Sequence, residues 1–373
     1  MIGFAALVVF FVLLPAVAVG GALGAPVLLS VAGVLCLRPS QLRQAVENRP
    51  AWLVLLGAFL TLAAASSFWS EHTAAITQAA KIGVLAVGGV LFAAGARANP
   101  RLAAGGAVAA AAVLAVLLSI EALFDLPLNR AAQPGGETGE LLRNVSRGSS
   151  LLIALVWSAA AALMARGGRT WTRLGLLVLA GAGFVSVQFG QFANSAAFLA
   201  GLAAFFSAFI APRFVIFVTF AGLVIWLLAA PFATPAALAL LDPQALPYSW
   251  NARVEIWSYV CDRIAEQPWY GHGLDAARAH DPPIPVHPHS ASLQIWFETG
   301  AIGAVLAACA LIAAGRALLG RLGANRPAAA AAAGSLAAIG VIANISFNLW
   351  AEWWLATFFI VAGAAGALVP QRR

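Results

Sequence analysis

Long apolar runs, separated by short polar breaks, occupy nearly the whole chain. Twelve stand out, at about residues 2–18, 20–37, 51–66, 77–95, 102–120, 150–165, 174–190, 195–211, 214–231, 292–314, 328–345 and 350–369. Most are roughly 17 to 22 residues long, enough at about 1.5 Å per residue to cross the hydrocarbon of a bilayer as a helix. The pattern predicts an all-α polytopic membrane protein of about 12 transmembrane helices. Two breaks are longer than the others, at about 121–149 and about 232–291. The second divides the chain into transmembrane helices 1–9 (1–231), one large loop (232–291) and transmembrane helices 10–12 (292–373).

Inside that loop, "SWNARVEIWSYVCDRIAEQPWYGHG" has the period of an amphipathic helix. Val254, Trp257, Cys261 and Ile264 form one apolar stripe, while Arg253, Asp262, Arg263 and Glu266 point elsewhere. Ser249 or Asn251 is expected to cap its start, and Pro268, Gly271 and Gly273 to end it. Such a helix is expected to lie along the outer membrane surface.

Composition agrees with the pattern: 62% of the 373 residues are hydrophobic and 9% are charged, far from the balance of soluble domains. Charge then sets an orientation, because short cytoplasmic loops retain Arg and Lys. With both termini inside, Arg38, Arg43, Arg49, Arg97, Arg101, Arg166, Arg169, Arg173, Arg213, Arg316, Arg321, Arg326, Arg372 and Arg373 fall on the cytoplasmic side with Glu47 as the one acid. The remaining acids and six arginines fall on or near the outer side, and Lys81 lies within a span. The net charge of +7 therefore describes topology and not a nucleic-acid surface. "AVAVGGALGAP" resembles a signal-cleavage region, but the missing basic segment before it argues against one. Cys36, Cys261 and Cys309 are too scattered across the two environments to pair.

The outer side is where chemistry is expected. Arg253, read as lying in the first turn of the amphipathic helix, adds a cation to free backbone N–H groups, a fit for a diphosphate. A salt bridge to Glu255 or a loop acid explains it equally well. His289 stands at the mouth of the tenth span beside Pro288, and a neutral imidazole there suits removal of a proton from a hydroxyl. A helix-capping histidine is the plainer reading. The H-x-H pair His287 and His289, with His280 and Asp281 nearby, offers zinc ligands, but no further ligand is evident, and no metal is expected.

Glu298 lies two turns into the same span with Gln294 four residues earlier. A carboxylate at that depth needs a partner, and orienting His289 or pairing with a loop arginine is its expected role. Gly300 and Gly303 read as close helix packing. Lys81 is expected to snorkel or to assist an anionic headgroup, Arg147 to stand at the entrance of the sixth span, and Arg278 with Asp275 to complete the polar set. Trp250, Trp257, Trp269, Trp350, Trp353 and Trp354 read as interfacial belt residues, and Trp296 as a site-lining one. The chain has no phosphate-binding loop for ATP, no D-x-D pair for a metal-held nucleotide sugar and no G-x-S-x-G elbow.

"SWNARVEIWSYVCDRIAEQPWYGHGLDAARA" followed by "HPHSASLQIWFETGAIGA" resembles the signature region of the O-antigen ligase and polymerase superfamily, especially its proteobacterial ligase-like branch. That family shows an R-x-x-I-W helix, a P-x-x-G-x-G turn and an H-[N/S]-x-x-L-Q-x-x-x-E-x-G-x-x-G run. The resemblance implies a GT-C-class glycosyltransferase of the bacterial inner membrane, independent of metal and of any cofactor. It would take a glycan from undecaprenyl diphosphate at the periplasmic face, and its acceptor would be lipid A-core in a ligase or another lipid-linked glycan in a polymerase. The family's loop arginine falls on Arg253, its general-base histidine on His289, and its N-R-G element on Ser146, Arg147 and Gly148. Arg253 and Arg147 would bind the diphosphate with Arg278 or Lys81 assisting, while Glu298, Gln294, Asp275 and His287 support them. Two family arginines are not matched: Lys81 roughly replaces one, and "FANSAAF" stands where many members have S-R. A transporter for lipid-linked sugars is the alternative of another class, disfavoured because the polar residues gather on one face and not at mid-bilayer.

Overall fold

The computed structural model describes residues 1–38, 50–241 and 246–369. Arg43, Glu47, Arg49, Asp242, Arg372 and Arg373, assigned to loops or termini above, lie outside the described residues.

All regular structure among the described residues is helical: α1 (Ile2–Val19), α2 (Ala25–Leu35), α3 (Ala51–Ala65), α4 (Ala75–Ala98), α5 (Pro100–Leu123), α6 (Pro127–Ala132), α7 (Thr138–Met164), α8 (Arg169–Ser186), α9 (Phe192–Ile210), α10 (Pro212–Leu238), α11 (Tyr248–Glu266), α12 (Ala291–Leu322), α13 (Arg326–Ile345) and α14 (Glu352–Gly366). Short 3₁₀ turns occupy Ser66–Phe68 and Ala276–Ala279. Each of the twelve apolar runs became a helix. Among the described residues nine helices are long and apolar enough to cross a membrane. The other three are α2, shortened by the turn at Gly21 and Ala22 with positive φ, α14, and α8, whose first two turns carry Arg169 and Arg173.

Two boundaries differ from expectation. The first outer segment is largely helical, because α7 begins at Thr138, well before the expected start of its span near residue 150. Arg147 therefore sits inside α7, in its third turn, and not at a helix entrance. The second outer segment starts later, since α10 continues through Pro231 and Pro235 to Leu238.

α7 is the axis of the bundle, with 89% of its apolar stretch buried. It packs against α1, α5, α8, α13 and α14. Its Trp157 is fully buried and fits only because two neighbours are glycines: a Cβ on Gly201 of α9 would lie 2.3 Å from the indole, and one on Gly334 of α13 would lie 2.9 Å from it. The alanine run of α13 serves the same close approach. At one end of the bundle the arginine-bearing loops meet, with Arg213 against Gly323 and Arg97 within electrostatic reach of Arg321. At the other end lie α11 and the loops at 66–74, 267–290 and 346–351.

α12 spans 32 residues and is broken at Gly300, whose φ of 63° and ψ of −166° belong to no helix. The break frees backbone groups that membrane lipid cannot satisfy. The turn after α11, "PWYGHG", supplies them: Ala301 and Ile302 N–H donate to the carbonyls of Pro268 (2.8 Å) and Trp269 (3.2 Å). In return His272 and Gly273 N–H donate to the carbonyls of Phe297 (2.8 Å) and Glu298 (2.9 Å). Gly300 does permit a close approach, as expected, but to this turn and through a helix break.

α11 forms where expected. Its buried residues are Ile256, Val260, Cys261 and Ile264, so Val254, which is half-buried, does not carry the stripe; the helix is rotated towards α10 and α12. It begins at Tyr248 after Pro247 with no side-chain cap, so neither Ser249 nor Asn251 caps it. Trp350, Trp353 and Trp354 are buried and belong to the core, not to an interfacial belt.

Candidate functional site

His289 occupies the residue before the N-cap of α12, where Ser290 caps the helix by accepting from Leu293 N–H (3.4 Å). Its backbone is in the left-handed region, φ 56°, a conformation that costs a non-glycine residue about 1–2 kcal/mol. Two contacts hold it there. Its N–H donates to Nδ1 of His287 (3.2 Å), and its ring stands 4.1 Å from the His287 ring. Its own Nδ1 is 2.6 Å from the carbonyl oxygen of Ser346, at the end of α13.

That second contact fixes the chemistry of the ring. A carbonyl only accepts, so Nδ1 carries the proton and the neutral ring keeps its lone pair on Nε2. Burial, with Arg253 adding to it against the opposing Ser346 bond, pushes the His289 pKa down to about 4. Burial likewise holds His287 well below the usual histidine range. Both rings are neutral at physiological pH, and His289 presents an unprotonated nitrogen.

Arg253 is near enough to act electrostatically on both histidines. It lies in the second turn of α11, not the first, with its guanidinium donating to the Ser249 carbonyl (2.7 Å) and lying over Trp250. One turn further, Trp257 donates to the Pro288 carbonyl (2.8 Å) and ties α11 to the histidine loop. The Arg253 Nε has no partner, no acid pairs with the side chain among the described residues, and burial lowers its pKa. The expected bridge to Glu255 does not form.

Arg147 also lacks an acid partner among the described residues. Its neighbour Ser146 is bonded by Gln191, which precedes Phe192, and Phe192 packs edge-on against Trp250. The helix turn that carries Arg147 and the Trp250 ring beneath Arg253 thus both contact the α8–α9 corner. Asn194, in "FANSAAF", ties that corner to α7 by donating to Ser149 (2.5 Å) and Gln191 (3.0 Å) and accepting from Ser150 (2.8 Å).

Glu298 touches neither His289 nor an arginine, against both roles expected of it. It accepts from Gln294 Nε2 (2.8 Å) and from the Trp350 indole. Gln294 also donates to Asn348 Oδ1 (2.8 Å) and accepts from Leu349 N–H (2.9 Å). Together they clamp residues 346–351, the segment whose Ser346 carbonyl holds His289, so Glu298 reaches the histidine only through that segment. Asn348 continues the network to Asp275 at 3.5 Å. Asp275 is buried, has φ 56° and accepts from Arg278 Nε (2.8 Å). Burial raises its pKa against the opposing pull of Arg278.

Lys81 pairs with Glu352 (3.1 Å) on the surface and is not a free cation. Trp296 donates to the Leu227 carbonyl (2.8 Å) in the core and does not line the site. His280 and Asp281 do not join the His287–His289 pair: Asp281 is exposed, and His280 turns to Tyr259. Ser346, Asn348, Trp350 and Trp257 were missed in sequence. The backbone partner had no side-chain signal to give, and the others read as belt or loop residues.

The family model described as O-antigen ligase matches residues 140–308, from α7 through the outer loop and across the break in α12. Over that stretch the chain is similar to O-antigen ligases. Among its relatives, a provisionally named polysaccharide ligase from Rickettsia conorii is 28% identical over 243 residues, covering 59% of this chain and 57% of that protein. One from Rickettsia felis is 25% identical over 237 residues, 57% of this chain and 55% of that one. One from Rickettsia prowazekii is 26% identical over 168 residues, 39% and 41%. The chain spans about half the length of the curated relatives it matches. All three relatives carry the provisional name polysaccharide ligase.

Proposed function

We propose that the chain is a membrane glycosyltransferase that ligates O-antigen from undecaprenyl diphosphate to a hydroxyl of lipid A-core, at the periplasmic face of the inner membrane. The observation that carries this reading is the fixed tautomer of His289 beside an arginine with no acid partner among the described residues. The acceptor O–H gives its proton to His289 Nε2 as its oxygen bonds to the anomeric carbon. The bond from that carbon to the diphosphate oxygen breaks with inversion, and the electron pair leaves on the diphosphate. Arg253 and Arg147 take up that charge, and Arg278 offers the guanidinium nitrogens not committed to Asp275. The step needs no metal ion. The break in α12, a feature transporters exploit, is here filled by backbone of the outer turn and supports an enzyme over a carrier. The arginine-lined end of the bundle supports cytoplasmic termini.

The test is transfer in reconstituted membranes with a diphosphate-linked donor, a lipid A-core acceptor and no added divalent ion. His289→Ala and Arg253→Ala should each lower kcat/KM on the order of 100-fold. Near wild-type transfer by both variants overturns the mechanism. Lengthened lipid-linked glycan in place of capped lipid A-core would reassign the chain as a polymerase.

A further inference from the structure

Three side chains converge at the outer end of the bundle with no part in the transfer step. Glu71 comes from the loop before α4, His272 from the turn that fills the α12 break, and His280 from just beyond the second 3₁₀ turn. One ligand atom from each lies within 4.8 Å of the others. His272 and His280 are only 2% and 8% exposed, so their polar atoms need partners.

One nitrogen of each ring has a partner. His272 Nε2 donates to the Arg263 carbonyl (3.0 Å), which leaves a lone pair on Nδ1 of the neutral ring. His280 Nδ1 bonds the Tyr259 hydroxyl (2.8 Å). The other nitrogens, His272 Nδ1 and His280 Nε2, have no hydrogen-bond partner, and they face the two oxygens of Glu71 at 3.6 Å and 3.3 Å. The two separations run to different carboxylate oxygens, and with one atom from each residue the set lies within 4.8 Å, within a small side-chain adjustment of the ~3.3 Å ligand–ligand edge of a tetrahedral site with bonds of about 2.0–2.1 Å. A carbonyl and a hydroxyl on the far ring nitrogens are the supports that orient metal-bound histidines.

We propose that Glu71, His272 and His280 bind a divalent transition metal ion, zinc by this ligand set, as a three-ligand site with a fourth position open beside the half-exposed carboxylate. The ion clamps the loop before α4 to the turn that repairs α12, across a junction already closed by Ser70 Oγ donating to the Leu274 carbonyl (2.7 Å). This site is distinct from the His287–His289 pair and does not depend on the glycan-transfer reading.

The experiment uses the full chain, purified through a tag without histidine, incubated with ZnCl₂ or CoCl₂, desalted and assayed for bound metal. Wild type should retain about one zinc per chain and give the intense visible bands of tetrahedral cobalt. Glu71→Gln and the His272→Ala/His280→Ala double variant should lose the bound metal, and His289→Ala should keep it. Tyr259→Phe, which leaves all three donors, should weaken zinc affinity about 10- to 100-fold. Wild-type zinc no higher than in the double variant overturns the proposal and makes the cluster a histidine–carboxylate contact. Should the double variant fail to fold, unchanged affinity in both Glu71→Gln and Tyr259→Phe overturns it equally.

Discussion

Replacing Gly300 by alanine tests whether the outer turn is what holds the broken α12 together. At φ 63° and ψ −166° the backbone is in a region open essentially to glycine, so any side chain adds about 1–3 kcal/mol of strain. The new Cβ would also lie 2.3 Å from the carbonyl carbon of Trp269 and 2.5 Å from the nitrogen of Tyr270. Those are backbone atoms, and they yield only if the turn withdraws. Withdrawal breaks the bonds from Ala301 and Ile302 to Pro268 and Trp269, and each buried group left unpaired costs about 1–3 kcal/mol. That loss burdens the opened turn in wild type and variant alike, so the strain alone shifts the balance, and about 1–3 kcal/mol raises the population of the opened turn roughly 5- to 150-fold. Cys261 on α11, 8% exposed, reports that opening through its rate of labelling by a water-soluble maleimide, read by peptide mass spectrometry. Labelling should accelerate about 5- to 150-fold in Gly300→Ala. Gly320→Ala, on the same helix with open space around it, should leave the rate unchanged. Equal labelling in Gly300→Ala and wild type would refute the account of the break.

Transfer should be flat from pH 6 to 8 and fall only as pH approaches the His289 value of about 4; a midpoint near 6.5 would mean that the ring is not buried beside Arg253. The same depression makes stability fall as pH drops from about 6.5 towards 4, because the unfolded chain gains a proton there that the folded ring refuses, and thermal unfolding across that window checks the sign. Glu298→Leu should reduce kcat about 10-fold or more with KM little changed, by orphaning Gln294 and Trp350, while Glu298→Gln should recover much of it. Lys81→Ala should shift stability by less than about 1 kcal/mol, as expected of an exposed pair; a tenfold loss of donor affinity would return Lys81 to the diphosphate cradle.

The membrane helices were legible because a bilayer demands long apolar runs whatever their neighbours, and the placement of His289 at a helix mouth followed from that pattern. The break at Gly300 was not, since a glycine among alanines in a membrane helix reads as packing until the backbone that occupies the gap is seen. Sequence could name Glu298 as needing partners, but Trp350 and the clamp on residues 346–351 come from the far end of the chain. The same holds for Glu71, about 200 positions from His272, which no local spacing joins to it. Arg147 was misplaced because the polar start of α7 looks like loop, while inside the bundle Asn144 bonds Asn129 of α6 and Ser149 and Ser150 bond Asn194 of α9.

The burial of α7 has a consequence for synthesis. Ser335 of α13 donates to the Ala154 carbonyl across 181 residues of sequence, and Gly334 beside it completes the Trp157 pocket. At roughly 5–20 residues per second of translation, α7 waits about 10–40 s in the membrane before α13 is made. During that interval the Ala154 carbonyl and the Gly334 side of the Trp157 pocket have no neighbour, so the central helix of the bundle is enclosed long after it enters the membrane.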